Sequence, residues 1–234
     1  MKALIFDCDG VLVDTERDGH RVAFNRTFTR KGYPFSWSVD EYGQLLKVAG
    51  GKERMRYYFD QVSWPDDVTD KDLLIKELHR IKTDIFMEII TDGELPLRSG
   101  IARLIDEAIE KKIMLAVCST SNERAVAMII ETMLGAGRKS HFRAILAGDM
   151  VSKKKPDPEI YLLALQKFEI KPDECVVVED SRNGLLAARA AGMKCIITTN
   201  GYTENESFEE ADLVVPELGD PPDVRITLAQ LTNL

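Results

Sequence analysis

The sequence predicts an α/β protein, a doubly wound parallel sheet with an all-helical segment inserted after its first strand. Three observations carry this. A short apolar run at the N-terminus, Ala3-Leu4-Ile5-Phe6, ends in two alternate aspartates, Asp7 and Asp9. From about residue 94 onward, helix-like and strand-like segments alternate, the pattern of a parallel sheet covered on both faces. Between them, residues 16–93 carry helical periodicity with no strand-like run. The expected organisation is a core of residues 1–15 and 94–234 with a helical cap of residues 16–93.

Each element has its own justification. Residues 3–6 read as a buried strand, after which Gly10 permits a sharp turn. In the inserted segment His20, Ala23, Phe24, Thr27 and Phe28 share one helical face, as do Met55, Tyr58, Phe59 and Val62, then Leu74, Leu78, Ile81 and Ile85. The chain returns to the core near Leu95-Pro96. Ile101, Leu104, Ile105, Ala108 and Ile109 mark a helix, and Ile113 to Cys118 a strand. Val126 to Leu134 is helical in pattern and can end at Gly135, and Arg143 to Ala147 is a weaker strand. Asp157-Pro158 opens a helix with an N-cap residue and a proline. Cys175 to Val178 is a strand, 182–191 a helix closed by Gly192, and Cys195 to Thr198 and Leu213 to Val215 are two further strands.

Composition narrows the function classes. A net charge of −8 argues against a nucleic-acid or membrane-surface partner, and the apolar runs are too short to span a membrane. With the first strand opening at residue 3, no signal or transit peptide is expected in this form. Cys8, Cys118, Cys175 and Cys195 lack metal-ligand spacing and read as free buried thiols.

Four signals fall at predicted strand ends. Asp7 and Asp9 form a carboxylate pair fit for a hard cation, for acid/base work, or for both. Ser119-Thr120-Ser121 follows the second strand and suits anionic oxygens or a helix cap. Lys155 precedes a helix start, within a lysine run that could equally be a solvated surface. Glu179-Asp180 ends a valine-rich strand, where an acid pair is costly unless it binds a cation or caps a helix. Their order suggests phosphoryl transfer: a carboxylate nucleophile, a second carboxyl as proton shuttle, an anion cradle, a lysine and a metal-binding acid pair.

In these four motifs, over its whole length, the chain resembles the haloacid dehalogenase superfamily of aspartate-nucleophile phosphohydrolases, whose core is a Rossmann-like sheet. Tyr42 to Lys47, Gly50 to Met55, Val117 to Glu123, Lys153 to Tyr161 and Gly219 to Pro222 resemble the CbbY-type branch. That resemblance implies hydrolysis of xylulose-1,5-bisphosphate, an inhibitor of the CO2-fixing enzyme Rubisco in the Calvin cycle, by a soluble enzyme of a plastid stroma or a bacterial cytoplasm, taken here as a monomer. It implies Asp7 as nucleophile and Asp9 as general acid and base. Mg2+ would be held by Asp7, the Asp9 carbonyl and Asp180, with Glu179 nearby, and Ser119, Thr120 and Lys155 would hold the transferring phosphoryl group. Gly50 and Gly51, leading a helix that carries Lys52 and Arg54, suggest a seat for a second phosphate, and Glu16, His20 and Tyr42 are placed to meet sugar hydroxyls. His20 stands one position later than the histidine many relatives carry, where this chain has Gly19. The alternatives are a β-phosphoglucomutase-like hexose phosphomutase, a general sugar-phosphate or phosphoglycolate phosphatase, and a non-catalytic binding module.

Overall fold

The sheet is built from apolar runs buried on both faces, as parallel strands require. In a computed structural model, which describes residues 1–48, 51–65, 68–121 and 123–234, the six strands are β1 (Ala3–Phe6), β2 (Met114–Cys118), β3 (Phe142–Leu146), β4 (Cys175–Glu179), β5 (Lys194–Thr198) and β6 (Leu213–Val215). They run in the order β3-β2-β1-β4-β5-β6, every pair parallel. The expected doubly wound sheet is therefore present. Strand order reverses at β1, and in open α/β sheets such a switch point marks the ligand crevice at the carboxyl edge. Asp7 leaves β1 there, beside Ser119 at the end of β2 and Glu179 at the end of β4.

The chain divides into two compact units, Met1–Asp14 with Leu95–Leu234, and Thr15–Glu94. The second unit is helical, with no strand among its described residues. A wide π-type turn at Thr15–His20 leads into α1 (Arg21–Arg30), followed by α2 (Val39–Leu45), α3 (Gly51–Gln61) and α4 (Lys71–Thr91). Ser38 caps α2 by accepting the Glu41 N–H, and Asp70 caps α4 by accepting those of Asp72 and Leu73. The expected apolar faces are buried except at His20, which is half-buried, and Val62, which lies just past α3 and is 51% exposed. Phe24 and Phe28 pack on Trp37 with ring centroids 4.7 and 5.1 Å apart.

In the sheet unit, α5 (Ile101–Glu110) packs on β2. Next come α6 (Glu123–Ile129), a π-type stretch through Leu134, and α7 (Gly135–Lys139). Gly135 takes φ 73, so it ends the first helical run as expected and one further short helix follows. On another face α8 (Glu159–Phe168) and α9 (Arg182–Ala190) supply Ile160, Ala164, Leu185 and Ala188 to a cluster with Ala3, Ile5, Ala116 and Val177. The last helix is α10 (Leu228–Thr232). All four cysteines are free and buried. Among the described residues no helix is long and apolar enough to cross a membrane.

Candidate active site

Strand register assembles the chemistry. Phe6 pairs with Val117 and Val178, so the residues just past these positions reach one edge together. Lys155, on the segment before α8, fills the centre. Its Nζ lies 2.5 Å from Asp7 Oδ1, 2.5 Å from Glu179 Oε1 and 2.8 Å from the Cys118 carbonyl. Both carboxylates and the ammonium are removed from solvent, with side chains 10%, 1% and 6% exposed. Coulombic attraction at such range in a dry site far exceeds that of a surface pair.

Glu179 is the most fully engaged of the acids. It accepts from Lys155, from the Tyr161 hydroxyl at 2.6 Å, from the Asp180 N–H at 3.1 Å and from the Ser181 hydroxyl at 3.4 Å. Gly184 is required beside it, because a Cβ there would lie 1.9 Å from the Glu179 carboxyl carbon. Asp180 accepts from Asn200 Nδ2 at 2.7 Å. Gly10, at φ +81, approaches so closely that a Cβ would sit 2.0 Å from Asp180 Oδ2.

The charge balance points to a cation. Carboxylate oxygens of Asp7, Glu179 and Asp180 lie within 4.8 Å of one another. Against the single Lys155 ammonium, these three leave a formal excess equal to one divalent charge. Burial pushes Asp7 up to about 8, opposed by Lys155 and reinforced by Glu179 and Asp9, and burial likewise raises Asp180. Hard oxygen donors with a surplus of negative charge fit a hard divalent ion.

Asp9 is met by two hydroxyls. Ser119 Oγ donates to its Oδ2 from 3.3 Å, and Ser121 Oγ donates to the same oxygen. Ser119 is buried at the end of β2, while the Thr120 carbonyl accepts from Lys154 at 3.2 Å. Cys8 lies between the aspartates, and burial together with Asp9 and Asp7 pushes its thiol up, so it stays protonated.

The residues expected to choose the substrate fall in the helical unit. Arg54 is buried and donates to the Tyr42 hydroxyl at 2.8 Å and the Leu45 carbonyl at 3.1 Å, and Tyr42 in turn donates to Glu16 at 2.6 Å. Lys52 is exposed on the first turn of α3, which opens at Gly51, whereas Gly50 lies outside the described residues. His20 Nδ1 faces Lys82 Nζ at 2.8 Å. Burial, then Lys82 and Arg54, push the His20 imidazolium well below its ordinary range, so a neutral ring accepts from the lysine. Lys82 is 8% exposed and lies over the rings of Phe24 and Phe86, at 5.1 and 4.8 Å.

Sequence reasoning missed three of these residues. Lys82 sits on the buried face of α4, whose signal was only its apolar periodicity. Tyr161 lay inside a stretch read as a helix start. Arg98 was unmarked, yet its guanidinium gathers the carbonyls of Gly10, Thr198, Thr199 and Pro216 and ties the turn after β1 to the ends of β5 and β6.

Comparison with known proteins identifies the family and the fold. A family model described as haloacid dehalogenase-like hydrolase matches residues 1–192. A CBBY-like protein of Arabidopsis thaliana is 53% identical over 97% of this chain and 72% of its own. CbbY from Rhodobacter sphaeroides in complex with phosphate superimposes with a TM-score of 0.79 at 39% identity, covering both chains fully. A mutant of that protein in complex with xylulose-(1,5)bisphosphate gives 0.78 at 39% identity over 99% of each chain.

Proposed function

The chain belongs to the haloacid dehalogenase-like hydrolase family, in its CbbY group, and is a phosphatase; from that premise we propose that it hydrolyses xylulose-1,5-bisphosphate to xylulose 5-phosphate and phosphate, using Mg2+ and a covalent intermediate on Asp7. The observation that carries the reading is the buried knot of Asp7, Lys155 and Glu179, with Asp180 adjoining and Asp9 held by serines at the same edge. The sugar bisphosphate is taken from the ligand of the Rhodobacter relative.

In this mechanism an Asp7 carboxylate oxygen attacks phosphorus while the ester P–O bond breaks, and Asp9 delivers its proton to the departing sugar oxygen. Asp9 then removes a proton from water as that water attacks the aspartyl-phosphate, breaking the bond to Asp7 and releasing phosphate. Acid/base help of this kind is worth about 10²–10⁴-fold. Lys155, the Ser119 hydroxyl and the Thr120 N–H hold the phosphoryl oxygens, and Glu179 with Tyr161 keeps Lys155 in place. Asp7, the Asp9 carbonyl and Asp180 would hold Mg2+, which supplies charge neutralisation to the phosphoryl group. Residues 16–93 serve as the specificity cap, where Arg54, Lys82 and Lys52, with the α3 N-terminus at Gly51, recognise the phosphate that is not transferred. Glu16, Tyr42 and His20 would order these cations and meet the sugar hydroxyls.

The test is phosphate release with Mg2+ across xylulose-1,5-bisphosphate, ribulose-1,5-bisphosphate, fructose-1,6-bisphosphate, 2-phosphoglycolate and glucose 1-phosphate, with glucose 6-phosphate also monitored. A kcat/KM for xylulose-1,5-bisphosphate at least about tenfold above each rival, or about 1.4 kcal/mol of discrimination, supports the proposal. Conversion of glucose 1-phosphate to glucose 6-phosphate with slow release elsewhere would identify a mutase instead.

A further inference from the structure

In the turn after β2 the Ser121 hydroxyl has no part in the phosphate binding described above, yet it donates to Asp9. Ser119 and Ser121 both donate to Oδ2 of Asp9, and the Ser121 N–H donates to Ser119 Oγ at 3.1 Å, so the two hydroxyls are held as a pair. The pair is anchored to the sheet by the Ser119 N–H, which donates to the Leu146 carbonyl at 2.9 Å. On the reading that Ser119 holds the transferring phosphoryl group, that group competes with Asp9 for its hydroxyl. Ser121 then keeps the Asp9 carboxyl.

We propose that Ser121 is a positioning residue for Asp9, fixing the rotation of its carboxyl group so that its proton reaches the leaving oxygen. This rests on the reading of Asp9 as general acid. In the step concerned the Asp7 oxygen–phosphorus bond forms and the ester P–O bond breaks with its electron pair on the sugar oxygen. The proton passes from Asp9 to that oxygen, and the Asp9 carboxylate left behind accepts the Ser121 hydroxyl, a charge-assisted hydrogen bond stronger than a neutral one. Small misplacements of a proton donor are costly because reaction requires a near-attack geometry.

Leaving-group dependence separates this role from a merely structural one. A sugar phosphate releases a poor leaving group that needs the proton, whereas para-nitrophenyl phosphate releases a good one that does not. Ser121→Ala should lower kcat/KM for xylulose-1,5-bisphosphate by at least about tenfold, a part of the full acid contribution, and change that for para-nitrophenyl phosphate by less than about threefold. Ser121→Thr should recover most of the loss, because it restores the hydroxyl. If the alanine variant does not fold, Ser121→Cys, close in size and a weak donor, takes its place. Asp9→Asn, measured alongside, tests the acid itself and should show the same selectivity more strongly. A selective Asp9→Asn loss with a uniform or absent Ser121→Ala loss overturns the assignment of Ser121 alone. A uniform Asp9→Asn loss overturns the general-acid reading and the role of Ser121 with it.

Discussion

Replacing Lys155 with methionine should destabilise the metal-free protein much more than the loss of a surface ion pair would. Methionine retains the aliphatic stem and removes the ammonium that lies 2.5 Å from both Asp7 and Glu179. Two carboxyl groups at most 10% exposed then face each other without their cation. Removing one partner from a buried pair costs about 3–5 kcal/mol. In a chain of this size each kcal/mol moves Tm by about 2–4 °C, so Tm should fall by roughly 6–20 °C. The sign with pH follows from Lys155 lowering Asp7 against the burial that raises it, the balance standing at about 8. Without it Asp7 holds its proton more tightly still, so the penalty is level below about pH 8, where Asp7 keeps its proton with or without the lysine, and grows above it. Urea and thermal unfolding with EDTA at about pH 6 and about pH 9.5 measure both effects. A loss below about 1 kcal/mol at both values would refute the buried knot, because that is the size of a solvated pair.

Gly10→Ala forces a side chain into φ +81 and against Asp180, at about 1–2 kcal/mol for the backbone and about 1–3 for the overlap, so urea titration should show a clear loss; wild-type stability would contradict the close packing. Asp7 gives the fold a proton-linked contribution: its folded value of about 8 lies above the usual 3.8, so this stability is complete below about pH 4 and fades as pH rises toward about 8. With EDTA, the stability of wild type relative to Asp7→Asn should therefore decline over that range and be restored by Mg2+ at its upper end; a flat difference would count against a buried, charge-crowded Asp7. Lys82→Met should raise KM for xylulose-1,5-bisphosphate by at least about tenfold and alter that for a sugar monophosphate far less, whereas equal changes would reject Lys82 as a cation for the second phosphate.

The parts of the fold visible in sequence are those set by local pattern. β1, β2 and β4 are apolar runs that stop at a charged or hydroxyl residue, and this abrupt change marks both the strand and the edge where Asp7, Ser119 and Glu179 emerge. Gly10 was legible as a turn residue, but its deeper constraint, the carboxylate of Asp180 lying where a Cβ would stand, depends on residues 170 positions apart. Lys82 escaped notice for the same reason. It reads as one of several charged residues on an amphipathic helix, and only the fold brings it to His20 and the ring faces of Phe24 and Phe86. Glu179 was legible as one acid of a possible metal cluster, but its bonds to Lys155, Tyr161, the Asp180 N–H and Ser181 depend on the fold. Arg98 works mostly through backbone carbonyls, which carry no side-chain signature.

The central claim is that Asp7 accepts the phosphoryl group, and it is tested most directly by acid quench during steady turnover of xylulose-1,5-bisphosphate with Mg2+, followed by mass spectrometry of the peptide containing residues 1–14. The account predicts one phosphoryl group on Asp7, present during turnover, absent once substrate is exhausted and absent in Asp7→Asn. Rapid turnover retained by Asp7→Asn, or phosphoryl transfer to another residue, would contradict it.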